Sequence, residues 1–385
     1  MGKNMRMAAF PALLCVILLQ ICLQSLLVPA YGQQISEIRV EKTWQVEVKA
    51  LDAQGSEVFG LNIQNNGGIS ELRISGTVVL TEGGNFIWND DWGQTWGSDA
   101  TADPVVETHD NYVKITCHGK YRVHKVAIVT EFTITKSGLI VVTSTMEAEQ
   151  NEPSIVTTAW LVNVKTEVFG GTKAYVKVGD TINEASLPVE FTGTISLFSG
   201  GTPVWVDFSF SGGGLTMINL DPTAYLPVTV QDERQWGTGF TARLQHGDWG
   251  TGAMSQGAKR TTKVALLVHG PGGYQAALNT INFFSDVGST KSSCESGVNT
   301  FKDSRAKDLA SQALVKANSA YDKFITGDTS GARADLTEAS NLLKQAQDAE
   351  QQAIVMRDVM MFLVPIIVLV IIYVIVVMVR KKAKG

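Results

Sequence analysis

Val126-Ala127-Ile128-Val129-Thr130-Glu131-Phe132-Thr133-Ile134-Thr135 runs into Lys136-Ser137-Gly138 and out again through Leu139-Ile140-Val141-Val142-Thr143-Ser144-Thr145-Met146. Two runs rich in β-branched residues, divided by a turn this short, predict an antiparallel hairpin. Before it, Ile38, Val40, Trp44, Val46 and Val48 share one parity while Arg39, Glu41, Thr43, Gln45, Glu47 and Lys49 take the other, the period of a half-buried strand. Comparable runs occur at 58–63, 69–80, 112–117, 155–164, 173–178, 189–198, 204–210, 226–230, 240–244 and 263–268. Turn-formers such as Asn65-Asn66-Gly67-Gly68 and Ser211-Gly212-Gly213-Gly214 separate some of them. No long helical period interrupts 35–268 and no Pro- or Ser-rich linker divides it. The expectation is a mainly β fold, with one large antiparallel β-sandwich ectodomain over residues 33–298.

The pattern changes near Asn299. Thr300-x-x-Asp303 is a helix-start signal, and Phe301, Leu309, Ala313, Leu314, Ala317, Tyr321 and Phe324 follow at helical spacing. Gly327-Asp328 breaks this helix, and Ala332, Leu336, Ala339, Leu343, Ala346 and Ala353 mark a second one. Residues 299–357 therefore read as an α-helical hairpin stalk, with a surface for lateral protein partners. From Val359 to Val379 no charge occurs, a length that suits a hydrocarbon core of about 30 Å. Residues 358–379 are expected to be a single transmembrane helix in the lipid bilayer, and 380–385 a basic cytoplasmic tail. At the other end, Lys3 and Arg6, an apolar run and Ala30-Tyr31-Gly32 give residues 1–32 the anatomy of a signal peptide. The expected localisation is the cell membrane, single-pass, with the bulk of the chain extracytoplasmic.

The formal charge of -5 is a sum over unlike parts. Residues 33–356 hold 25 Lys and Arg against 36 Asp and Glu, a net -11. Such a body is a poor match for nucleic acid, whose phosphates need clustered cations. Cys117 and Cys294 are the only cysteines beyond the leader, and in an oxidising compartment they form either a disulfide or two buried free thiols.

Three indoles, Trp88, Trp92 and Trp96, recur in a stretch with Asp90, Asp91 and glycines, which reads as a loop. Aromatic faces stack on pyranose C–H faces while neighbouring Asp and Asn bond hydroxyls, the chemistry a sugar site requires. A tryptophan-rich plug is the alternative. The carboxylates of Asp90, Asp91, Asp99 and Asp103 are oxygen donors of the kind Ca²⁺ takes, although their spacing matches no EF-hand pattern. A second cluster holds Arg234, Trp236, Arg243, His246 and Trp249, suited to an acidic or neutral sugar, with an Arg–carboxylate pair holding a turn as the commoner explanation. Asp91, Glu131, Glu147, Asp232 and Glu233 are candidates for acid–base work, but none is singled out. The histidines show no zinc spacing.

The stretches Leu61-x-Ile63, Asn66-Gly67-Gly68-Ile69, Leu72-x-Ile74, Gly76 and Val78-Val79-Leu80, followed by the 129–142 hairpin, resemble the galactose-mutarotase-like supersandwich. That family handles carbohydrate in aldose epimerases, glycoside hydrolases and polysaccharide lyases. The resemblance covers roughly residues 36–165 and implies a sugar-facing strand after the hairpin. Epimerases carry an Asn-His pair there, whereas here Trp160 stands near the place of the histidine, and an indole has no proton to give near neutral pH. The expected function is a membrane-anchored carbohydrate-binding or surface module without catalysis of its own and without a cofactor. The alternatives are a carbohydrate-active enzyme on the same fold and a structural envelope protein.

Overall fold

The computed structural model describes residues 35–90, 98–201, 203–221, 228–247 and 249–382. The leader, 1–32, and Asp91, Trp92 and Trp96 lie outside the described residues, as do the side chains of the basic tail. Among the described residues, eighteen strands form two nine-stranded sheets. The first runs in the order β1 (Glu37–Lys42), β2 (Val46–Leu51), β3 (Glu57–Ile63), β4 (Ile69–Ile74), β5 (Thr77–Asn89), β10 (Ile155–Val164), β17 (Phe240–Gln245), β16 (Val228–Asp232) and β13 (Ser196–Gly200). The second runs β12 (Thr181–Ser186), β11 (Lys173–Val178), β14 (Pro203–Phe210), β15 (Gly213–Asn219), β18 (Lys259–His269), β9 (Leu139–Ala148), β8 (Val126–Thr135), β7 (Tyr112–Tyr121) and β6 (Ser98–Thr108). The pairings are antiparallel, and the 126–148 hairpin forms as read, with Ile134 opposite Ile140 and Gly138 at φ +81° in the turn.

The inward parity of both sheets makes one core, in which Val46, Leu61, Trp160 and Val162 of the first sheet join Ile115, Phe132, Val142 and Leu266 of the second. Each such side chain contributes about 1.5–3 kcal/mol relative to exposure. The early alternation belongs to two strands, since the chain turns at Thr43-Trp44-Gln45 and leaves Trp44 exposed.

β10 and β17 are buried on both faces, so something covers the outer face of the first sheet as well. Part of the cover is a small cluster of Phe86, Trp88, Ala159 and Leu161.

Contacts divide the chain into two compact units, one of residues up to 282 with 325–327 and one of 283–324 with 328 onward. The helical part starts earlier than expected. Helix α1 (Leu278–Thr300) precedes α2 (Ser304–Ile325) and α3 (Thr329–Lys382); the last strand of the sandwich ends at His269, and from Phe283 onward α1 belongs to the helical unit. The Ser, Thr, Asn and Gly of α1 are weak helix formers and dilute its period, which explains the misplaced boundary. Within the helical unit, Phe283 of α1 stacks on Phe324 of α2 with centroids 3.9 Å apart. Alanines 306, 310, 313, 317 and 320 of α2 and 332, 339 and 346 of α3 are buried, and their small side chains suit close helix approach. Asp335 on α3 pairs with Lys323 at 2.6 Å and accepts a bond from the Ser319 hydroxyl, also at 2.6 Å. Asp303 Oδ1 accepts the Ala306 N–H at 2.9 Å and Asp328 Oδ1 the Gly331 N–H at 2.9 Å, capping α2 and α3. Gly327 at φ +86° makes the break between them.

The 54 residues of α3 span about 80 Å at 1.5 Å each. It is the one described helix long and apolar enough to cross a membrane, with a window of mean hydropathy 3.3 and exposed Val359, Phe362, Leu369 and Tyr373.

Cys117 and Cys294 are buried free thiols, the second of the two arrangements the sequence left open. Each is buried within its own unit, Cys117 on the core face of β7 and Cys294 on α1. Burial pushes the Cys117 thiol up to about 12, so it is inert as a nucleophile.

Candidate functional site

The outer face of the first sheet gathers the groups with unusual chemistry. On β5 the outward residues are Glu82, Gly84, Phe86 and Trp88; opposite them on β10 stand Asn163, Leu161, Ala159 and Thr157. On β17, Thr241, Arg243 and Gln245 continue the same face. β5 reaches across this face because it passes straight through Gly83-Gly84, with Gly84 at φ +144°, a backbone open to glycine alone.

At one end Glu82 Oε2 accepts the Asn163 amide at 3.0 Å, and the Asn163 carbonyl oxygen accepts the Thr241 hydroxyl. These two bonds fix the amide's orientation. Burial pushes the Glu82 carboxyl up to about 7, the Asn163 bond opposing and the Glu233 charge adding to the rise. Burial raises Glu233 too, against the pull of Arg243. At the other end the Arg243 guanidinium lies 5.4 Å from the ring of Trp88 and 5.6 Å from that of Trp249, its Nη1 3.9 Å from Glu233. The two indoles meet edge to face at 5.6 Å. Trp88 is 5% exposed and Trp249 41%, so the strand holds one indole beneath and the loop presents the other to solvent. Glu82 and Phe86 also line a cavity of about 60 Å³ with Gln64, Asn66 and Ser98. An adjoining cavity of about 240 Å³ shares Gln64, Asn66 and Ser98 and adds Trp44.

The sequence-named residues fall in different places. Trp88 is in strand β5, not in a loop, which corrects that reading: the strand continues to Asn89 and pairs with Ile155. Trp249, read as part of a separate cluster, packs edge to face against Trp88. Asp90 is an exposed turn residue whose N–H bonds the Ser154 carbonyl. Arg234 is occupied elsewhere, with Asp232 at 2.6 Å and the carbonyls of Val189 and Pro188 at 2.6 and 2.9 Å. Trp236 is 61% exposed on a 3-10 turn beside it. His246 has the opposite parity from Gln245 and turns inward, to the hydroxyls of Thr158 at 3.3 Å and Thr262 at 3.0 Å. Trp160 likewise faces the core, away from Glu82. Of the described acid–base candidates, Glu233 alone lies on this face; Glu131 and Glu147 pair with Lys114 and Lys259 at the surface. Among the described residues no three His, Cys, Asp or Glu are grouped to hold a metal ion, and Asp99 is bonded to Arg122 at 2.6 Å.

Glu82, Asn163 and Thr241 escaped the sequence reading. Glu82-Gly83-Gly84 looks like a turn, and Asn163 is one polar residue in an apolar strand, a departure that is itself the signal that could have found it.

Two pH responses follow. A carboxyl raised in the folded state favours folding below its unfolded pKa of 4.5, and that contribution is lost as pH rises through about 7. Glu82→Gln is therefore expected to flatten the decline of Tm between pH 4.5 and 7.5; parallel profiles for variant and parent would contradict it. Burial, helped by the Arg260 charge, pulls His246 down to about 4. Its contribution is present above the ordinary 6.5 and lost as pH falls through 4. The imidazole NMR shifts of His246 are expected to stay those of the neutral ring at pH 5.

Sequence comparison finds no matching family model and no matching curated protein. Solved structures that resemble the chain include an aldose epimerase homologue from C. elegans, at 8% identity and TM-score 0.31, covering 61% of this chain and 99% of that one. An α-mannosidase from Enterococcus faecalis V583 follows at 12% and 0.40, covering 59% of this chain and 30% of that one. An α-galactosidase of glycoside hydrolase family 36 from Geobacillus stearothermophilus follows at 8% and 0.34, covering 61% and 41%. The structural neighbours thus include galactose-mutarotase-like aldose epimerases, at low identity. Likenesses this distant say nothing about activity, which has to be argued from the residues.

Proposed function

We propose that this chain is a membrane-anchored, extracytoplasmic carbohydrate-binding module whose ligand lies on the outer face of the first sheet. The observation that carries the reading is the exposed indole of Trp249 seated on Trp88 and Arg243, with the polar groups of Glu82 and Asn163 along the same face. An indole offers a flat apolar surface to a pyranose ring, and the half-buried Glu82 carboxyl, oriented by the buried Asn163 amide, offers a directional partner to hydroxyls. Helix α3 supplies the anchor, its basic end on the cytoplasmic side and the leader directing the rest outward. A glycan array probed with the full chain in nanodiscs tests this. Binding that Trp249→Ala weakens supports it; no glycan bound, or binding indifferent to the variant, contradicts it and favours a structural envelope role.

One observation favours a second reading, a carbohydrate-active enzyme. A carboxyl near pKa 7 next to another carboxyl is poised to give and take protons at neutral pH. Turnover of a bound glycan that falls by about 10²–10⁴-fold in Glu82→Gln, with binding retained, would establish it.

A further inference from the structure

The guanidinium of Arg243 is the least satisfied charged group on this face. Its residue is 7% exposed, its Nε has no hydrogen-bond partner, and its nearest carboxylate oxygen, on Glu233, stands 3.9 Å away, beyond hydrogen-bond reach. A buried donor on a charged group left unmade is costly, and structures rarely retain one without a use. Two rings take up part of the charge through their π faces, which are weaker partners for an N–H than an oxygen acceptor. Among the described residues, the charged group facing it is Glu233 after β16; β10 contributes the neutral Leu161 directly opposite, and Glu82 stands at the other end of the face beside Asn163. Trp249, which covers it, sits between Gly247 at φ +152° and Gly250 at φ +87°, backbone that lets a short segment adjust.

We infer that the ligand of this face is an acidic sugar whose carboxylate seats on Arg243. The planar fork of a guanidinium matches a carboxylate in a way that it does not match a hydroxyl, and the bond is stronger for being charge-assisted. The inference rests on the sugar-binding reading and narrows it to uronate-containing glycans.

The test uses the full chain in nanodiscs at pH 6 and titrates trimers of galacturonate, glucuronate and mannuronate, each beside its methyl ester, which keeps the shape and removes the charge. At least one acid is expected to bind at least about tenfold more tightly than its ester. Arg243→Gln is expected to remove that difference while ester binding persists. Glu233→Gln, which takes away the only acidic neighbour within 4 Å among the described residues, is expected to widen it, and carries the test if Arg243→Gln does not fold. Esters that bind as tightly as acids, a folded Arg243→Gln that keeps the preference, or a Glu233→Gln that leaves it unchanged would overturn the inference. Neutral glycans bound through Trp249 with no acid preference would sink the inference alone; no binding of any acidic, esterified or neutral glycan would sink the sugar-binding reading with it.

Discussion

Asp207→Ala is expected to lower the stability of the sandwich by about 3–5 kcal/mol, read by urea unfolding of the solubilised chain. Asp207 on β14 and His269 at the end of β18 are both fully buried. His269 Nδ1 lies 2.9 Å from the Gly270 carbonyl and donates to it, so the bond at Nε2, 2.8 Å from Asp207 Oδ1, also carries a proton between the two groups. Asp207 further accepts the hydroxyls of Thr216 at 2.7 Å and Ser209 at 2.5 Å. Truncation would leave an imidazole and two hydroxyls buried with no common acceptor. The surroundings are built to this pair: a Cβ on Gly214 would come within 2.3 Å of the His269 ring, so the strand has glycine where the imidazole lies. Asp207→Asn keeps an acceptor and should cost less than Asp207→Ala. A loss below about 1 kcal/mol for the alanine variant would mean that the pair is not what holds β14 to β18.

Trp249→Ala is expected to weaken glycan binding by about 10–100-fold, the range of a central aromatic anchor. The same substitution at Trp88 would mix two effects, since that indole is 5% exposed and its removal opens a cavity worth about 3–5 kcal/mol. Trp249, 41% exposed and on irregular chain, separates binding from stability. Isothermal titration with a glycan taken from the array, beside a thermal melt of each variant, reads both. Unchanged affinity would move the site away from this face.

The two kinds of information were not equally legible. The 126–148 hairpin stood in plain view because its apolar runs and short turn are local. β6 did not, because Ser98–Thr108 is an edge strand, largely exposed, and carries Ala, Asp and Pro where apolar residues would announce a strand. β15 was hidden behind Gly212-Gly213-Gly214, which read as a turn but serves the His269 ring. In the site, Trp249 and Arg243 were visible as part of a polar-aromatic cluster. Which of their neighbours faces the same way depended on the register of β17, which places Gln245 outward and His246 inward. Glu82 could not be placed at all until β5 was known to continue past Gly84 and to set it opposite Asn163.

The central claim is that the outer face of the first sheet binds sugar. Hydrogen exchange of the full chain in nanodiscs, with and without the tightest-binding glycan of the panel, tests it most directly. Slower exchange is predicted in residues 82–89 of β5 and in 241–252, which carry Glu82, Trp88, Arg243 and Trp249. Protection confined to the second sheet or to the helical unit would contradict the account.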